Sequence, residues 1–62
     1  MILAETLDRL PEDYREVIVL RHLESLSFAD IGERMGRSVP SVKSIWTRAI
    51  TRLRDELKGI SE

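Results

Sequence analysis

Apolar side chains recur along this chain at spacings of three and four, the period that lines one face of a helix. Nowhere do they alternate with polar ones over six residues, as a half-buried strand requires. Ile2, Leu3, Leu7 and Leu10 outline a first short helix, closed by Pro11, which disfavours helical geometry at Leu10. Pro11 is placed as the first residue of the next helix, with Glu12 and Asp13 in the opening turn where the dipole favours acids. Tyr14, Val17, Ile18, Leu20 and Leu23 continue it as one apolar face, and Ser25 ends it.

Ser27 and Asp30 form a capping box, in which Ser27 accepts from an orphan amide and Asp30 reaches back. Phe28, Ile31 and Met35 then give a short amphipathic helix, and Gly36 stands where a left-handed cap belongs. Ser38 caps the next element, with Pro40 in its first turn where no amide is needed. Val42, Ile45, Trp46, Ala49, Ile50, Leu53 and Leu57 fall on one stripe, and Gly59 closes the helix. The pattern predicts four helices, at about 2–9, 11–24, 28–35 and 39–58, and no strand. The fold class is therefore all-α: one small four-helix domain over residues 1–62, with no internal repeat or linker.

Only Gly36, Arg37 and Ser38 separate the third and fourth helices. A short helix, a three-residue glycine turn and a second helix make a helix-turn-helix, at about residues 27–48. Two helices crossing so closely need a small residue at the crossing, and Gly32 supplies it. A glycine inside a helix costs about 1 kcal/mol against alanine, so its presence calls for a packing reason.

Composition narrows the function. Sixty-two residues, 42% apolar and 34% charged, describe a globular domain with a thin core. The longest apolar run, residues 17–20, is far short of the roughly 20 residues of a membrane span. The start of the chain lacks the basic and apolar regions of a signal peptide. No cysteine and one histidine leave no disulfide framework, and neither a metal nor another cofactor is expected. Enzymatic activity is not expected either, because no serine–histidine–acid set, phosphate-cradling glycine loop or buried carboxylate pair is present.

A net charge of −1 speaks against a nucleic-acid partner until it is divided along the chain. Residues 1–36 carry −4 and residues 37–62 carry +3, and residues 37–54 hold five bases and no acid. Local charge sets the field at a contact surface, so the basic segment is the candidate for DNA. In a helix-turn-helix the start of the second helix meets base edges in the major groove. Here that start offers Arg37, Ser38, Pro40, Ser41, Lys43, Ser44, Thr47 and Arg48, short hydrogen-bonding groups interleaved with cations. Ser27, at the start of the third helix, offers free amides to a backbone phosphate. Arg52, Arg54 and Lys58 lie farther along and suit the negative end of the helix. Trp46 belongs to the core stripe, His22 is a surface or capping histidine, and Arg21 pairs with an acid or touches a protein partner.

Several segments, in order, resemble region 4 of bacterial sigma-70 family sigma factors, in the extracytoplasmic-function (ECF) group. They are Leu10-Pro11-Glu12, Val17-Ile18-Val19-Leu20-Arg21, Leu26-Ser27-Phe28-Ala29-Asp30-Ile31-Gly32, Ser41-Val42-Lys43-Ser44 and Arg48-Ala49. The resemblance covers about residues 7–57. It implies a cytoplasmic domain that recognises the −35 element of double-stranded promoter DNA through the helix at about 39–58. It also implies contact with the β flap of RNA polymerase and, in some members, binding of an anti-sigma factor. The family often has a base where Ile45 stands, an acid and a glycine at Val39 and Pro40, and alanine at Gly32. Region 2, which melts the promoter, is absent from these residues, so the chain reads as an excised C-terminal domain, monomeric by itself. Two other functions stay open: a protein-interaction module with little DNA readout, and a stand-alone helix-turn-helix regulator that dimerises.

Overall fold

The computed structural model describes residues 3–61, and the side chains of residues 5–58. Ile2, the side chain of Leu3 and the surroundings of Gly59 lie outside the described part. Four helices follow one another: α1 (Leu3–Asp8), α2 (Glu12–Ile18), α3 (Phe28–Met35) and α4 (Val39–Ser61). The described residues contain no strand. No helix among them is long and apolar enough to cross a membrane.

Three expected boundaries shift, each for a local reason. Pro11 is the N-cap of α2 rather than its first helical residue. Its ψ of 150° is extended, and its carbonyl accepts the first helical bond from Arg15 N–H at 3.0 Å. The helix expected through residue 24 is α-helical only to Ile18, and Val19–Leu23 continues it as a π-helical turn. There Glu24 N–H reaches five residues back to the Val19 carbonyl, at 3.1 Å. The extra residue in the turn rotates Leu23 off the core face, and Leu23 is 66% exposed. Ser25 ends the element as expected, at φ 58°, and Leu26 N–H closes the loop onto the Leu20 carbonyl at 3.0 Å. At the other end, α4 passes through Gly59 to Ser61. Glycine permits a left-handed stop but does not impose one, and Leu57, one turn earlier, is already 40% exposed and outside the core.

The core has two parts. Leu7, Leu10, Ile18 and Ala49 form one, with Tyr14, Val19, Ile50 and Leu53 packed on it. Val17, Leu20, Ile31 and Val42 form the other, with Leu26, Phe28, Met35, Ile45 and Trp46 around them. Val17 and Ile18 are neighbours in sequence and point into different clusters, so α2 wedges α4 from the side and joins the two. The first cluster fastens α1 and α2 to the middle of α4; the second seats α3 on its N-terminal half. That seating fixes the helix-turn-helix.

Thr6 is fully buried, and its Oγ1 has no hydrogen-bond partner. An unsatisfied buried hydroxyl costs about 1–3 kcal/mol, and valine has the same shape without it. Thr6→Val is therefore expected to stabilise the domain by about 1 kcal/mol, seen as a melting temperature about 4–8 °C higher.

Candidate nucleic-acid interface

The turn between α3 and α4 is built from caps and one close approach. Gly36 adopts φ 67°, and its amide and that of Arg37 both donate to the Gly32 carbonyl, the latter at 2.8 Å. A Cβ added at Gly32 would stand 2.5 Å from the Arg37 carbonyl oxygen and 3.6 Å from Val42 Cγ2. The crossing therefore does require a glycine-sized residue. Ser27 Oγ accepts from Asp30 N–H at 3.1 Å, the first half of the capping box. Among the described residues the Asp30 carboxylate makes no return bond, its side chain being one methylene shorter than the usual glutamate. Ser38 Oγ accepts from Ser41 N–H at 3.3 Å and so caps α4. Both serines are thus structural caps whose hydroxyl hydrogens are still free to meet a phosphate.

The site residues on α4 form a banded surface. At 100° per residue, Pro40, Ser44, Thr47 and Thr51 lie along the centre of the exposed side, and Lys43 and Arg48 stand about 140° apart at its two edges. Pro40, Lys43, Ser44, Thr47 and Arg48 are all exposed, while Ser41 is half-buried on the flank. On one edge, Lys43 Nζ stands 6.0 Å from the centre of the Phe28 ring. On the other, Arg48 lines a shallow groove with Tyr14, Thr51, Arg52 and Asp55. Neither cation forms an ion pair among the described residues. Thr47 Oγ1 donates to the Lys43 carbonyl and Thr51 Oγ1 to the Thr47 carbonyl, each at 2.9 Å. Such back-bonding is common for threonine inside helices, and the two threonines four residues apart were a signal for it.

Arg37 is placed differently. Its Nη2 donates to Asp13 Oδ2 at 2.7 Å, which ties the turn to the first turn of α2. Farther along, Arg52 pairs with Glu56 at 3.7 Å, and Glu56 is shared with Arg9. Arg21 makes no ion pair among the described residues. Its Nη1 donates to the Leu26 carbonyl at 3.0 Å and its guanidinium lies 4.8 Å from the Phe28 ring centre, bracing the entry to α3. Trp46 is half-buried against the second cluster as expected, edge-on to Phe28 at 5.7 Å. Its indole N–H donates to His22 Nε2 at 3.1 Å, and His22 is exposed, the surface histidine expected.

A family model described as "Sigma-70, region 4" matches residues 1–53. The RNA polymerase sigma factor SigF of Mycobacterium tuberculosis is 39% identical over 57 residues, 92% of this chain and 22% of that protein. The RNA polymerase sigma-E factor of Streptomyces coelicolor is 41% identical over 56 residues, 90% of this chain and 32% of that protein. The ECF RNA polymerase sigma factor SigW of Bacillus subtilis is 38% identical over 52 residues, 84% of this chain and 28% of that protein. The chain spans less than a third of the length of each of these relatives.

Proposed function

Since this chain belongs to the sigma-70 region 4 family, we propose that it serves RNA polymerase by recognising the −35 element of a promoter. Residues 1–62 act as a single DNA-binding domain, and α4 enters the major groove. The observation that carries this reading is the banded face of α4: hydrogen-bonding groups along its centre, a free cation on each edge, and no acid across residues 37–54. Lys43 and Arg48 straddle the groove onto the two phosphate backbones. Ser44 and Thr47 meet base edges between them, with Pro40 and Ser41 alongside. Ser27 and Ser38 approach phosphates at the starts of α3 and α4. The domain binds rather than catalyses, acts as a monomer in the cytoplasm and requires no cofactor.

A protein contact accompanies the DNA contact. Exposed Leu23 stands close in sequence to Leu26, which lines a groove with Asp30, Glu33 and Arg34. An apolar residue near an acidic rim suits a basic, partly apolar segment such as the β flap of RNA polymerase or an anti-sigma factor. Selection of random duplexes on the domain held by polymerase core tests the main reading. Enrichment of one short motif at −35 spacing is expected, and flat enrichment with retained polymerase binding would instead favour the protein-interaction module. A stable dimer in sedimentation would point to a stand-alone regulator.

A further inference from the structure

Of the three cations at or near the start of α4, Lys43 and Arg48 are free of acids among the described residues, and Arg37 is not. Its partner Asp13 comes from α2, 24 residues away, so the fold and not local sequence makes the pair. The contact is short and charge-assisted, yet its side chains are 39% and 53% exposed. Pairs so open to water add little or nothing to stability, too little to explain the arrangement as a staple. Asp13 already has a favourable place in the first turn of α2 without Arg37, because the helix dipole favours an acid there. What the pair does change is the charge offered to a duplex.

Resting on the DNA-binding reading above, we propose that Asp13 is a specificity-determining residue, a resident phosphate surrogate that occupies Arg37 and holds down sequence-independent attraction to DNA. A carboxylate presents two oxygens to the guanidinium fork much as a phosphate does. While Asp13 holds Nη2 and matches the charge of Arg37, a passing duplex meets two unmatched cations at the start of α4 instead of three. To use Arg37, a phosphate must displace the carboxylate and then sit beside it, like charge against like. Binding to random sequence depends almost wholly on cation–phosphate contacts and so bears this penalty in full. Base contacts made by α4 are untouched by it, so the ratio of cognate to random binding rises.

The test measures binding of the whole domain to a labelled random-sequence duplex over a range of salt. Asp13→Asn is expected to bind roughly three- to tenfold tighter at low salt, with a log–log salt slope steeper by about 0.9, one further phosphate contact. Arg37→Gln alone is expected to bind about two- to fivefold more weakly with the slope unchanged, since it leaves the Asp13 carboxylate unmatched without removing a phosphate contact. Asp13→Asn combined with Arg37→Gln should return the slope to the parental value. Unchanged helical circular dichroism and melting would accompany all three. If Asp13→Asn leaves affinity and slope unaltered while the parent still binds in a Lys43-dependent way, the surrogate role is wrong and the DNA reading stands. A steep slope persisting in the double variant would also overturn it, by showing a general charge effect. If neither the parent nor Asp13→Asn binds duplex with any salt dependence, the DNA reading falls and the surrogate role with it.

Discussion

Gly32→Val is expected to unfold this domain. The position already has no room for one carbon: a Cβ there meets the Arg37 carbonyl oxygen at 2.5 Å. That oxygen belongs to the backbone of the turn and cannot swing aside as a side-chain tip would. Valine adds two methyl groups beyond the Cβ, toward Val42, which is itself fully buried. Relief requires α3 to lift from α4, breaking the Arg37-to-Gly32 hydrogen bond and opening the cluster of Val17, Leu20, Ile31 and Val42. Overpacking ordinarily costs about 1–3 kcal/mol, and a backbone clash at a helix crossing belongs at or above the top of that range. A domain this small has about 3–5 kcal/mol in total, so little folded protein should remain. Helical circular dichroism on heating measures it. Gly32→Ala is the informative companion. It gains about 1 kcal/mol of helix propensity and loses about 1–3 to overlap, so a net loss of about 1 kcal/mol is expected. A valine variant melting like the parent would show the turn to be far looser than its geometry.

Lys43→Ala with Arg48→Ala is expected to remove most measurable DNA binding while leaving the fold intact. Each single change is expected to weaken binding to the selected duplex by about 1–3 kcal/mol. The two side chains lie on opposite edges of the α4 face and share no partner among the described residues, so their losses should add to about 2–6 kcal/mol. The log–log salt slope should flatten by about 1.8, two phosphate contacts fewer. Both residues are exposed and outside the core clusters, so the melting temperature should barely move. Fluorescence anisotropy of a labelled duplex across salt concentrations reads affinity and slope together. A double variant that binds like the parent at low salt would place the interface elsewhere on the domain.

The parts legible in the sequence are those governed by neighbours within a turn. Ser27, Gly36 and Ser38 cap where their side chains and backbone freedom allow, and Gly32 betrays the helix crossing by its cost. The exposed side of α4 follows from spacing alone, because Val42 and Ala49 fix which way the helix faces. Leu23 was misleading for a physical reason. Its spacing fits an α-helix, and only the π-helical turn, closed by Ser25 and Leu26, carries it outward. The two pairings that reshape the site, Arg37 with Asp13 and Trp46 with His22, each join residues 24 apart. No local rule selects one acid or one imidazole acceptor across that separation. The packing of α2 beside the turn and α4 does.

The hydrogen-bond direction of Thr47 has a consequence for the letters the proposed interface could read. With its hydroxyl hydrogen committed to the Lys43 carbonyl, Thr47 offers a groove only lone pairs and a methyl group. Without breaking a bond inside α4, it can accept from the exocyclic amine of adenine or cytosine, or rest its methyl against that of thymine. It cannot donate to the paired acceptors of guanine. In the proposed interface, a guanine on the strand facing Thr47 would therefore gain no hydrogen bond from its hydroxyl.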